Sequence, residues 1–236
     1  WKKGDESYRR AGIFFGKILG LTFAVGVATG IVMEFQFGTN WAEYSKVVGD
    51  IFGAPLAAEA IFAFFLESAF LGLYLFGRKR VSKAVHWFSI LMVAIGSTIS
   101  AFWILVANSW QQTPAGHHIV GAGASMRAEI VDFWQMVFSP SSLDRIWHVY
   151  MGCWQAGAFF VISVSAWYLL KRRHREFART SMKIGLMVAV VASLLQLVSG
   201  HSSAQGVAEN QPAKLAAFEG HYPSSAPADM YLFGWV

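Results

Sequence analysis

The sequence predicts an all-α fold, a polytopic transmembrane helix bundle, and three observations carry that prediction. Residues 52–77 form an apolar run of 26 residues broken only by Glu59 and Glu67, and about 20 apolar residues are enough to cross a bilayer core. Apolar residues make up 55% of the chain and charged residues 14%, against about 25% charged in a soluble domain. The 20 Phe and 10 Trp gather near the ends of the apolar runs, as an interfacial aromatic belt requires. No alternating strand pattern, heptad run or low-complexity tract argues for another kind of domain.

The same length test places five spans in order: 11–34, 52–77, 84–108, 145–170 and 177–200. Their loops set the orientation. Lys2, Lys3, Arg9, Arg10 and Lys17 lie before or within the first span. Arg78, Lys79, Arg80 and Lys83 separate the second from the third, and Lys171, Arg172, Arg173, Arg175, Arg179 and Lys183 flank the last turn. Together these are 15 of the 19 basic residues. The positive-inside rule then puts the chain start and both basic turns in the cytoplasm. Loops 35–51 and 109–144 and the tail 201–236 face outward. The net charge of +5 is thereby accounted for by the lipid bilayer, with no nucleic acid partner.

The second span carries the chemistry. A carboxylate inside the membrane costs at least roughly 2.5–3.5 kcal/mol on insertion scales, so it is seldom kept without a use. Glu59 and Glu67 are eight residues apart, about 12 Å of helical rise and about 80° of rotation. That places them one above the other on neighbouring faces, Glu67 the deeper, the spacing of a proton relay. The competing reading is two acids each satisfied by an adjacent helix. Ser97, Thr98 and Ser100 bring hydroxyls into the third span, where they could hold water beside the acids.

Other features are weaker. Gly26/Gly30 and Gly96/Ser100 are small-xxx-small pairs, which commonly mark close helix packing. Residues 126–138 read as an amphipathic surface segment, and 139–144 as turn and N-cap residues. His148 sits one turn inside an aromatic-rich span, a setting that suits haem or metal ligation. His201 ends the next span at matching depth, so a bis-His haem between the two helices is a second arrangement. Met151 projects to the same side as His148 and cannot oppose it. His86 reads as a surface residue, and His117, His118, His174 and His221 carry no assignment. Cys153 is the single cysteine, so no disulfide forms within the chain. In the tail, Pro212 starts a short helix bearing Lys214 and Glu219, by default a solvated pair. The chain opens on Trp1 and stops at FGWV, and it reads as a fragment.

In order along the chain, GTNWAEYSKVVGDIFGAPLAAEAIFAFFLES (38–68), GSTISAFWILVANSWQQTP (96–114), the Trp147-His148 segment and QPAKLAAFEGHY (211–222) closely resemble subunit I of the cytochrome bd quinol oxidases. The resemblance covers essentially the whole chain. It implies a respiratory terminal oxidase of the bacterial plasma membrane that oxidises ubiquinol or menaquinol and reduces O2 to water. It also implies a low-spin haem b, a high-spin haem b and a haem d, with subunit II and a small single-span subunit as partners.

Carried over by segment, Glu59, Glu67 and Ser100 resemble the proton path toward the oxygen-reducing haems. His148 resembles the axial ligand of the low-spin haem b iron, and Lys214 and Glu219 the quinol-contacting pair. Residues 1–200 would then be a haem-binding bundle and 201–236 the start of an outward-facing quinol loop. Against the family pattern, the first helix with the His ligand of haem d and the C-terminal half are lacking. That half would hold the Met opposite His148 and the acidic ligand of the high-spin haem. Gly200-His201 stands where several relatives have Gly-Asp. The residues alone leave two alternatives open: a haem-free proton-conducting or transport subunit, and a bis-His cytochrome b membrane anchor.

Overall fold

The computed structural model describes residues 6–220. Its long helices are α1 (Glu6–Gly38), α2 (Ala42–Glu59), α3 (Phe65–Phe76), α4 (Lys83–Gln112), α6 (Ser142–Leu170) and α7 (Arg175–Asn210). A single π-helical turn, Ala60–Phe64, joins α2 to α3 without a break. Counting α2 to α3 as one, five helices among the described residues are long and apolar enough to cross a membrane, as the length test expected. Strands β1 (His117–Val120) and β2 (Arg127–Ile130) form an antiparallel hairpin, followed by short helices α5 (Phe133–Val137) and, beyond α7, α8 (Pro212–Glu219).

Four expectations need correction. The second span begins at Ala42 rather than 52, so most of the anticipated loop 35–51 is helix. Its first turns are held by the hairpin, not by lipid. Asp50 accepts a hydrogen bond from the Ile130 N–H at 2.8 Å, and Val48 and Ile51 are buried in one cluster with Ala128. A hydropathy test cannot see that support. Residues 126–138, expected as one amphipathic surface segment, are divided between β2 (Arg127–Ile130) and α5 (Phe133–Val137). Four-residue strands are too short to show alternation in the sequence. The turns at Gly116 (φ 65°) and Gly121 (φ 77°) set the hairpin, and the Gly116 carbonyl accepts N–H bonds from Val131 and Asp132 at 2.9 and 3.1 Å. A Cβ on Gly116 would lie 2.4 Å from the Asp132 oxygen.

The third correction concerns α1. Gly26 and Gly30 have no neighbouring atom within 4 Å of a would-be Cβ, so that pair packs against nothing in the described chain. The close approaches are made instead at Gly16, against the Tyr74 ring, and at Gly20, against Leu75. The Tyr74 hydroxyl also donates to the Gly12 carbonyl at 3.0 Å. Gly16 and Gly20 share one face at four-residue spacing, and bulk at either would press on Tyr74 or Leu75 and push α1 off α3.

The helices run up and down, so the start of α1 and the turns α3–α4 and α6–α7 share the basic end of the bundle. Phe14 and Phe15 of α1 pack on Phe177 of α7 at 5.3 and 6.0 Å, and Ser7 bonds Thr180 at 2.9 Å. His86 is no bare surface residue. It is half-buried, stacks on Tyr74 at 4.8 Å and hydrogen-bonds the Tyr74 carbonyl at 3.0 Å. The principal buried cluster lies at the opposite end, where Val106, Trp110, Met136, Val137 and Ile146 join the hairpin and α2.

Candidate functional site

Two polar faces lie within the bundle. The first is made by the acid-bearing helix and α4. Glu67 accepts a hydrogen bond from Ser97 at 2.5 Å, and Glu59 one from Ser100 at 2.7 Å. Both carboxylates are half-buried. Thr98, the third hydroxyl expected here, instead bonds back to the Ala94 carbonyl at 2.8 Å. The helices meet closely because position 96 is glycine: a Cβ there would stand 3.0 Å from the Glu67 Cβ and 3.1 Å from its backbone nitrogen.

The π turn changes the geometry that the spacing implied. A plain α-helix would set the acids about 80° apart. A π turn takes up one extra residue, so the eight-residue interval behaves as seven and leaves only about 20° of rotation. Both acids therefore face α4. Ser97 and Ser100 are only three residues apart, about 4.5 Å of rise, so carboxylates that start further apart converge on neighbouring hydroxyls. The result is two carboxylates, each bonded to a hydroxyl of α4, with the two hydroxyls one helical turn apart, an arrangement able to pass a proton.

The second face lies between α6 and α7. His148 Nδ1 is 3.1 Å from the Ser199 hydroxyl, which itself donates to the Gln196 carbonyl at 3.2 Å. The Gln196 amide nitrogen lies 3.0 Å from Nδ1 and 3.0 Å from Nε2 alike; once it withdraws, the Ser199 oxygen, its proton spent, is free to accept from Nδ1–H and leave the Nε2 lone pair open. Gly200 lies alongside the ring, where a Cβ would make an ordinary contact, 3.6 Å from His148 Cε1. His201 is exposed and turned about 100° from the glycine that the ring faces. The structure thus seats His148 on Gln196, Ser199 and Gly200, none of them singled out in the sequence, and does not bring His201 to it.

This seat fits an axial haem ligand: a half-buried imidazole, its second nitrogen held by a neighbour, as metal-bound histidines usually are. The Gln196 amide nitrogen stands 3.0 Å from Nε2 and would have to swing away. Its buried Oε1 has no partner in that position, so little holds it there. No group of three or more His, Cys, Asp or Glu converges among the described residues.

Nearer the end of α6, Arg145 donates to Asn108 of α4, while its Nε is buried without a partner. Asp144 accepts from Ser202 at 2.5 Å. Beyond them, the Lys214 ammonium donates to Gln112 at 2.9 Å and lies 5.7 Å from the Phe218 ring. Lys214 is half-buried and Glu219 exposed. Five residues on a helix is about 140° of rotation, so the two do not share a face. His221 and the rest of the tail lie outside the described residues.

The whole chain, residues 1–236, matches the family model of the cytochrome bd terminal oxidase subunit I. The chain belongs to that family. It is 48% identical over 233 residues to the cytochrome bd-II ubiquinol oxidase subunit 1 of Escherichia coli, covering 98% of this chain and 45% of that relative. It is 44% identical over 235 residues to the cytochrome bd ubiquinol oxidase subunit 1 of Bacillus subtilis, covering 99% and 49%. The solved bd oxidase of Geobacillus thermodenitrificans superimposes with a TM-score of 0.90 at 31% identity, over 99% of this chain and 53% of that one. The chain thus spans about half the length of the curated relatives it matches.

Proposed function

We propose that the chain forms the electron-entry and proton-uptake half of a quinol:oxygen oxidoreductase subunit that reduces O2 to water. The observation that carries this reading is the hydroxyl-bonded carboxylate pair, Glu59–Ser100 and Glu67–Ser97, set on one face of a membrane helix. In a respiratory oxidase every electron delivered to oxygen must be matched by a proton, and a carboxylate pair inside the bilayer supplies a route. Glu67, the deeper, receives the proton, holds it on a carboxyl oxygen against Ser97 and passes it to Glu59 and Ser100.

His148 would hold the low-spin haem b through its imidazole, with Ser199 and Gln196 positioning the ring. Bound there, the haem supplies one-electron redox chemistry. A high-spin haem b and a haem d complete the cofactor set that this reading requires. Lys214 orients a quinol oxygen, and Glu219 takes the proton released as quinol is oxidised. Residues 1–200 form the haem-binding bundle and 201–236 open the quinol segment, although α7 itself runs unbroken to Asn210. Such an enzyme sits in a bacterial plasma membrane beside subunit II and a small single-span subunit. With the basic end cytoplasmic, quinol protons leave on one side while those for oxygen enter from the other, which separates charge.

A dithionite-reduced spectrum of the full-length protein tests the reading. Bands of haem b with an additional red-shifted chlorin band are expected. Haem b bands alone would leave a cytochrome anchor, and a spectrum without haem would leave a proton-conducting subunit.

A further inference from the structure

We propose that a cavity at the basic end of the bundle binds the phosphodiester headgroup of a membrane phospholipid. The cavity, about 430 Å³, lies where the start of α1, the end of α6 and the start of α7 meet. It is far from both polar faces, and neither the acids nor His148 lines it.

Its two walls differ in kind. One is aromatic: Phe14, Phe177 and Tyr168 hold each other edge to face at 5.3, 5.8 and 6.4 Å. This wall continues into the lipid-exposed faces of α6, where Trp167 and Leu170 are 51% and 83% exposed. The other wall is polar, with Arg10, His174 and Arg175 on the rim and Glu176 beside them. Arg9 takes up the Glu6 carboxylate through two bonds, at 2.6 and 2.5 Å. Arg10 makes a looser ion pair with the same carboxylate, at 3.6 Å, and its side chain is 67% exposed, so most of its guanidinium edge still faces the cavity. The lining therefore has a positive surplus of one, enough for one phosphodiester, with Lys171, Arg172 and Arg173 next to it in the turn.

The position selects the ligand. Basic pockets between membrane helices at the interface suit phospholipid headgroups, and aromatic rings at that depth pack against the glycerol and first acyl carbons. A free phosphate would satisfy the arginines but leave the aromatic wall uncovered. A lipid satisfies both.

The test titrates the full-length assembled protein with phosphatidylglycerol in detergent and reads bound lipid by native mass spectrometry. Arg10→Gln/Arg175→Gln should weaken binding roughly tenfold. A control with the same loss of charge, Arg78→Gln/Arg80→Gln in the other basic turn, should stay within about twofold. A third variant, Phe14→Trp, fills the cavity without removing charge and should also weaken binding. Thermal melting of each variant confirms that it is folded. Equal binding by parent and cavity variants would overturn the proposal. So would an equal loss in the control, which would mean diffuse attraction only. Displacement of the lipid by inorganic phosphate at matched concentration would identify a simple anion site and would overturn it too.

Discussion

The two polar faces inside the bundle are built by opposite means. Between the acid-bearing helix and α4, the functional groups are large and charged, and the backbone bends to serve them. A π turn rotates Glu67 toward α4, and Gly96 lets the helices close until Ser97 and Ser100 reach the carboxylates. Between α6 and α7 the backbone is regular, and small side chains do the work. Ser199 and Gly200 form the seat into which the His148 ring fits. The first face is a problem of register and the second a problem of which polar partners meet the ring. Substitutions should therefore fail differently at the two.

The largest effect is expected at His148. His148→Ala should remove the low-spin haem b signal and stop electron entry from quinol, while the chain still inserts. Retention of that signal at its normal midpoint potential would rule out ligation by His148 and reduce the α6–α7 seat to a packing detail.

Next come the acids. Glu67→Gln keeps the Ser97 contact but removes the transferable proton, and should slow oxygen reduction roughly 100-fold, at the low end of general acid–base effects. Glu59→Gln, nearer the surface where water substitutes, should cost roughly tenfold. In both variants quinol should still reduce the low-spin haem. Full turnover in Glu67→Gln would leave the two acids as structural pairs, each satisfied by α4.

The register argument has its own test. Because a π turn is one extra residue in an α-helix, deleting the exposed Phe62 should convert Ala60–Phe64 to plain helix with both acids still facing α4. Activity should remain within roughly threefold. Inserting an alanine after Phe62 would add about 100° of rotation and should disable oxygen reduction as severely as Glu67→Gln. If the deletion is the more damaging change, alignment is not what the π turn provides.

Much of this contrast was legible in the sequence on one side only. Glu59 and Glu67 stand out because a charge in an apolar run is costly, and Ser97 and Ser100 follow from their place in the adjacent span. The π turn was not legible, since AIFAF carries no residue that forces a wider turn. His148 could be singled out, but its partners could not. Gln196, Ser199 and Gly200 are ordinary residues whose roles exist only once α6 and α7 pair. The same holds for α1, where Gly26/Gly30 and Gly16/Gly20 are equivalent as patterns and only packing against Tyr74 and Leu75 distinguishes them. The hairpin was hidden for a simpler reason: four-residue strands carry too little pattern to read.

The smallest effects are expected at α8, where the structure separates two residues that the sequence presented as a pair. Lys214 is bonded to Gln112 at the end of α4 and ties α8 to the bundle, whereas Glu219 is exposed on another face. Exposed charges contribute only about 0–1 kcal/mol to stability, so Glu219→Ala should leave haem content and melting unchanged. If Glu219 accepts the quinol proton, that variant should slow quinol oxidation roughly threefold without changing the Michaelis constant. Lys214→Met keeps the length of the side chain but loses the hydrogen bond. It should raise the Michaelis constant roughly tenfold, the size of one hydrogen bond to a charged group. Oxygen consumption driven by an artificial donor that bypasses quinol should persist in both. Should Lys214→Met instead lower the melting temperature with quinol kinetics intact, the Gln112 contact is an anchor for α8 and Lys214 takes no part in binding.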